Sequence, residues 1–282
     1  MMTELAAEAA GNPPFFSLKN LWYWARLIAI VLFIKGCVVD QYRIPSRSME
    51  PTLHAGGYFE GDRILVNKWI MGPRIPFTTI RLWDGYEPKR WDIVVFRTIE
   101  DKSREKTLVK RIVGLPGEKV KLHNGGLLVN GEKVPKPDHM PETTWYFSPD
   151  DLRKFKDPDQ RAMFEQLLRV DPIRYAVSDD DAYTVIPEGH YLMLGDNSLE
   201  SHDGRMYGWV PRDHIYGRVF AIWFPFGRMR DFTGFSQTWW GPFAIYGPVT
   251  ALLLWILWDV FGDVRRILRA RADKSAAQGK RG

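Results

Sequence analysis

Two serines separated by one residue, Ser46 and Ser48, stand in the stretch Pro45-Ser46-Arg47-Ser48-Met49-Glu50-Pro51-Thr52-Leu53. A serine hydroxyl becomes a nucleophile only when a base takes its proton. No histidine is placed to do so, because His54 follows on a Pro-Thr-Leu turn that leads away. A lysine can serve instead if burial keeps its amine neutral. The sequence offers one in Leu108-Val109-Lys110-Arg111-Ile112-Val113, an apolar run ending in the tight turn Leu115-Pro116-Gly117. The two-residue period of a strand puts Leu108, Lys110 and Ile112 on one face, where desolvation favours the uncharged amine. A third polar segment, Gly195-Asp196-Asn197 and then Ser201-His202-Asp203-Gly204-Arg205, directly follows the apolar run that ends at Leu194.

Each of these pieces also has an ordinary reading. Serines between prolines are common in loops, and a lysine beside apolar residues commonly carries its amine out to water. The loop after Leu194 reads equally as a turn laced by local side-chain hydrogen bonds. Zinc chemistry is disfavoured, since the six histidines show no His-x-x-x-His spacing and Cys37 is the only cysteine. No metal and no cofactor is expected, and a lone cysteine forms no intrachain disulfide.

The elements that must hold these residues read mostly as strands. Gly61 to Lys68, Trp91 to Arg97, Thr107 to Val113, Lys119 to His123 and Gly126 to Val129 are β-type runs. Turns at Asn124-Gly125-Gly126 and Asn130-Gly131 separate the later ones, and strands resume at Tyr183 to Ile186, His190 to Leu194 and Ile215 to Phe224. Residues 136–181 read as an insertion, with apolar spacing over Asp150 to Val170 that suggests helix.

Two apolar runs flank this middle. Residues 1–20 form a short tail; Leu21 to Val39 is long enough to span a membrane, with Arg26 and Lys35 near its ends where they can snorkel. The second run, residues 239–261, has Trp239 and Trp240 at one end and Trp255 and Trp258 at the other, as at a membrane–water boundary. From Arg265 to Arg281 seven Lys and Arg face one acidic residue, Asp273. The net charge of +5 is therefore concentrated beside an apolar run, which reads as cytoplasmic anchoring rather than nucleic-acid binding. Residues 262–282 and the N-terminus then share the cytoplasmic side, and residues 40–230 face outward.

Four blocks in order resemble the bacterial type I signal peptidases: Ser-x-Ser-Met-x-Pro-Thr-Leu from Ser46, Gly-Asp-x-Ile-Leu-Val-x-Lys from Gly61, Lys-Arg-x-Val-Gly-Leu-Pro-Gly-Glu from Lys110, and Gly-Asp-Asn with Ser-x-Asp-x-Arg from Gly195. The resemblance implies a mainly β fold: a signal-peptidase-like catalytic β domain with a partly helical insertion, flanked by N- and C-terminal transmembrane helices. It implies a membrane-bound Ser-Lys endopeptidase that removes signal peptides from exported preproteins, cleaving after Ala-x-Ala. Ser48 matches the nucleophile and Lys110 the general base. Ser46 and the backbone N–H of Ser48 match the oxyanion hole, and Ser201 matches the hydroxyl that orients the lysine. Asp203 with Arg205, and Asp196 with Arg111, match supporting ion pairs. Tyr42, Ile44 and Pro45 match the segment beside which substrate lies as a strand, and Leu53, Leu108 and Val109 match pocket walls.

The resemblance further implies signal peptides of secretory preproteins, membrane lipid and the export translocon as partners, with no nucleic acid. The expected location is the bacterial inner membrane, crossed more than once, with the catalytic domain on the periplasmic side. Arg47 between the serines, Ser198-Leu199-Glu200 after Gly-Asp-Asn, and a C-terminal second span depart from many members. The competing readings are a conjugation-type Ser-Lys processing peptidase and a catalytically silent envelope scaffold on the same fold. The four polar residues Ser46, Ser48, Lys110 and Ser201 together argue against the scaffold.

Overall fold

A computed structural model describes residues 18–73, 80–100, 107–138, 140–168 and 184–239, together with 254 and 258. The chain divides into two units, Met1–Arg230 and Asp231–Gly282, and the polar blocks above all lie in the first.

Helix α1, Leu18–Phe33, covers most of the first apolar run, and its Leu21, Trp22, Ile28 and Leu32 are exposed. The run was expected to continue to Val39 as one helix, but the regular helix stops at Phe33. A π-turn, Ile34–Val38, follows, and the N–H of Val39 bonds the carbonyl of Ile34. Strand β1, Val39–Arg43, begins at once and pairs with β2, Arg63–Asn67, from Val39↔Asn67 to Arg43↔Arg63. Pairing to β2 captures the end of the apolar run, and the β-branched Val38-Val39 pair favours the strand. Among the described residues no helix is long and apolar enough to cross a membrane. The second run, 239–261, and the basic tail lie outside the described residues, apart from the exposed Trp239, Leu254 and Trp258.

The strands that follow are β3 (Ile93–Arg97), β4 (Thr107–Gly114), β5 (Lys119–His123), β6 (Gly126–Val129), β7 (Glu132–Lys133), β8 (Thr184–Val185), β9 (His190–Leu194), β10 (Val210–Pro211) and β11 (Ile215–Phe224). An antiparallel sheet runs in the order β1-β2-β11-β3-β4-β9-β10, and a second in the order β7-β6-β5-β8. The hairpins β5–β6 and β6–β7 turn on Asn124-Gly125 and Asn130-Gly131, all four at positive φ. That is the backbone a two-residue hairpin demands and Asn-Gly supplies.

Alternation along β4 and β9 sends their side chains into two cores. Val113, Leu192 and Leu194 pack with Val120, Leu122, Leu127 and Val129 of the smaller sheet. Ile112, Tyr191 and Met193 pack instead with Val94, Phe96 and Ile215, with Leu108 against them. The strands next to the polar blocks are thus buried on both faces, which holds their backbones rigidly.

The insertion is helical in two pieces. A 3-10 turn, Pro149–Lys154, opens with a Ser148–Asp151 capping box, and helix α2 spans Pro158–Leu168. One helix over the whole segment is prevented by Pro158, which disfavours helical geometry at Asp157 and brings no N–H of its own. Residues 169–183 lie outside the described residues.

Candidate active site

After β1 the chain stays extended through Ser46, then tightens into a 3-10 turn, Arg47–Met49, that buries Ser48 and Met49. The N–H of Ile44 bonds the carbonyl of Asp62 at 3.0 Å, and that of Leu53 the carbonyl of Met49 at 2.9 Å. The turn is therefore tied at both ends. Lys110 lies in the middle of β4, opposite Val94 of β3. Its Nζ is 2.5 Å from Ser48 Oγ. Lys110 is 3% exposed and Ser48 7%, so this contact is made out of water. Ser46 Oγ stands 3.4 Å from Ser48 Oγ on the open side, since Ser46 is itself exposed. A buried amine touching a buried hydroxyl can take the hydroxyl's proton once the amine is neutral.

The loop after β9 closes over the nucleophile turn. Asn197 donates its N–H to the carbonyl of Ser48 at 3.1 Å. Gly195 donates its N–H to Asp203 Oδ2 at 2.9 Å. A β-carbon on residue 195 would collide with both Ser201 Oγ and the Ser48 carbonyl oxygen, so glycine is what lets the loop approach. Helix α3, Gly204–Tyr207, starts at Asp203, whose carboxylate accepts from Arg205 Nε and Nη2 at 2.9 Å each. Burial alone would raise the Asp203 carboxyl. The Arg205 charge and its hydrogen bonds, the Gly195 N–H and the Lys110 charge outweigh it and hold the group below its usual value. The hydroxyl oxygen of Ser201 is buried and has no hydrogen-bond partner among the described residues.

Arg111, next along β4 and so on the opposite face from Lys110, is fully buried and forks onto Asp196 at 2.8 and 2.6 Å. Burial acts to lower its affinity for a proton, but hydrogen bonding and charge from Asp196 more than reverse this. Thr52 completes the group, donating to Asp196 Oδ2 at 2.5 Å and accepting from Arg111 Nη2 at 3.3 Å. These bonds brace the nucleophile turn against β4 and the loop after β9. Thr52 was not singled out from the sequence, where only its place in Pro51-Thr52-Leu53 hinted at a role. Ser198 was noted only as a departure, yet its Oγ accepts from Arg205 Nη1 at 2.6 Å and from the Phe147 N–H at 2.7 Å.

Of the residues matched to substrate contact, Ile44 and Leu53 are buried, Tyr42, Leu108 and Val109 are half-buried, and Pro45 is exposed. Strand β1 is the edge of the large sheet. The N–H of Gln41 turns away from β2 and bonds Asp40 Oδ1 at 2.9 Å. Burial, then the charge and hydrogen bond of Asp40, push the Tyr42 phenol up. His202 is exposed and pairs with Glu100 at 2.9 Å.

A family model described as Signal peptidase, peptidase S26 matches residues 18–224. A protein named Signal peptidase I from Pseudomonas aeruginosa is 33% identical over 230 residues, covering 75% of this chain and 74% of its own length. One of that name from Rickettsia conorii is 33% identical over 225 residues, covering 73% and 79%. A solved signal peptidase I from Enterococcus faecalis, 25% identical, overlaps 47% of this chain and 97% of its own with a TM-score of 0.31. The match over 18–224 takes in all four polar blocks, and with it the chain belongs to the signal peptidase, peptidase S26, family of serine endopeptidases.

Proposed function

We propose that the protein removes N-terminal signal peptides from exported preproteins by a Ser48–Lys110 dyad. The observation that carries this reading is the 2.5 Å approach of Lys110 Nζ to Ser48 Oγ, with both groups buried. The neutral amine takes the Ser48 proton as Oγ attacks the scissile carbonyl. The resulting oxyanion is received by the Ser46 hydroxyl and the Ser48 N–H. The ammonium then returns the proton to the leaving amine, and the acyl-enzyme is hydrolysed by water that Lys110 deprotonates in turn. Ser201, packed against Gly195 beside Ser48, is assigned the steadying of the amine during the reaction, a bond its hydroxyl does not make in this structure. Asp203 with Arg205 and Asp196 with Arg111 hold the surrounding backbone.

Substrate lies as an added strand along β1 beside Tyr42, Ile44 and Pro45, with small side chains facing Ile44, Leu53, Leu108 and Val109. The exposed apolar side chains of α1 support membrane attachment through the first run. The aromatic-flanked run 239–261 supplies a second span, and the basic residues after Arg265 stay in the cytoplasm. Cleavage of a preprotein by purified wild-type protein, beside Ser48→Ala, is the decisive test. Equal processing by both would remove Ser48 from the reaction.

A further inference from the structure

The end of α1 is fastened to the sheet by contacts that catalysis does not use. Lys68, just past β2, donates its ammonium to Asp40 Oδ2 at 2.7 Å and to the Lys35 carbonyl at 3.3 Å. The backbone N–H groups of Lys68 and Trp69 both reach the Val38 carbonyl, at 2.9 and 3.3 Å. A cation at a helix C-terminus meets the negative end of the helix dipole and satisfies carbonyls that have no partner within the helix. The Trp69 ring packs edge-on to Phe33 of α1, with centroids 6.5 Å apart, and to Trp83, at 4.5 Å. Trp83 Nε1 bonds the Trp69 carbonyl at 3.2 Å.

These contacts leave no slack between helix and nucleophile. The π-turn runs directly into β1, β1 is paired along its whole length to β2, and the nucleophile turn follows within a few residues. Extended chain covers roughly 3.3 Å per residue, so the position of Ser48 relative to the helix end is a fixed length. A jointed linker would let the site swing toward cleavage points at many depths; a clamped one holds it at one.

We propose that Lys68 and Trp69 are positioning residues that set which peptide bond of a membrane-inserted preprotein is cut, by holding the catalytic sheet at a fixed distance from the anchor helix. The inference rests on the reading of α1 as part of a membrane anchor. The contacts of Lys68 and Trp69 given above run to Lys35, Val38, Asp40, Phe33 and Trp83, so their effect is on the register between membrane and site, not on the chemistry.

The test uses the full chain in phospholipid vesicles and a series of preproteins whose Ala-x-Ala site is moved outward from the apolar segment. Wild type should lose about tenfold or more in kcat/KM when the site moves by about three residues, roughly 10 Å of extended chain. Lys68→Met and Trp69→Ala should flatten that profile to less than about threefold, since a loosened joint tolerates misplacement. Both variants should still cleave a short soluble peptide with the same site and no apolar segment at the wild-type rate, which shows that they fold. An unchanged spacing profile in both variants, a flat profile in wild type, or equal losses on soluble peptide and preprotein would each overturn the proposal. Vesicle flotation separates the underlying reading: a wild-type chain that does not float refutes the anchor itself, whereas one that floats with unaltered profiles refutes only the clamp.

Discussion

Lys110 Nζ approaches Ser48 Oγ to 2.5 Å although 62 positions separate the two residues in the chain. The contact joins the middle of a central strand to a turn at the sheet edge, and it determines how variants at Lys110 must behave. Lys110→Met keeps most of the side-chain volume and removes the proton acceptor. Lys110→Arg keeps the charge, but a guanidinium does not deprotonate in a protein. Both should lower kcat by at least about 10⁴-fold while circular dichroism stays that of wild type. Activity should also fall as pH falls, because protonating the amine removes the base, and recover on raising the pH. An active Arg variant would assign Lys110 a structural role.

Ser46 Oγ lies 3.4 Å from Ser48 Oγ, on the side open to solvent. A donor there acts on charge that develops only during the reaction. Ser46→Ala should therefore reduce kcat by about 10²- to 10³-fold with little change in KM. Steady-state kinetics on a peptide with an Ala-x-Ala site decides this, and a purely KM effect would remove Ser46 from the oxyanion hole.

Gly195 lies where a β-carbon would meet the Ser48 carbonyl oxygen, a backbone atom that cannot swing aside. Gly195→Ala should displace the nucleophile turn. A shift on the order of 1 Å can cost about 100-fold in rate, so kcat should fall on that scale with the melting temperature much less affected. Wild-type turnover in this variant would show that the loop after β9 does not govern the position of Ser48.

Asp196 and Arg111 form a buried ion pair, at 0% and 1% side-chain exposure. Asp196→Ala leaves the guanidinium buried without its carboxylate, which should destabilise the fold by about 3–5 kcal/mol. Thr52→Val removes the hydrogen bond to that carboxylate and the acceptor for Arg111 Nη2 but leaves the ion pair, and should cost about 1–3 kcal/mol. Denaturant unfolding of the two variants measures the order, and equal stabilities would mean that the pair is not coupled to Thr52 as its geometry implies.

The Asp203 carboxyl is held below its usual value despite its burial, chiefly by Arg205. A depressed folded-state value stabilises the fold fully above the unfolded carboxylate's pKa of about 3.9 and loses that contribution as pH falls through the folded value. Asp203→Asn should therefore reduce stability at neutral pH and flatten the acid limb of the stability curve below about pH 4. An acid limb identical to that of wild type would assign the transition to other carboxyls.

Local pattern made much of this protein legible in the sequence. Strands β2, β3, β5, β6, β8, β9 and β11 fall within the expected runs and β4 passes its own by one residue, because β-branched residues bounded by Gly and Asn turns carry their own signal. The pairing of Asp196 with Arg111 and of Asp203 with Arg205 followed the family blocks. The break at Pro158 was written in the chain as well, although the apolar spacing that suggested helix over Asp150 to Val170 did not mark it.

Local pattern does not carry what depends on distant partners, and the distant pairs foreseen, Arg111 with Asp196 among them, rested on the family resemblance. Apolar residues up to Val39 look alike to a membrane and to a sheet, and only the ladder with β2 decides that the helix yields at Phe33 to a π-turn and β1. Thr52 and Ser198 are small polar residues with no distinguishing neighbours. They acquire roles because β4 and the loop after β9 bring Arg111, Asp196 and Arg205 to them. Residue types and local spacing select the chemistry available to a chain. The approach of one hydroxyl to one amine is set by the packing of strands far apart in sequence, and packing is a property of the whole fold.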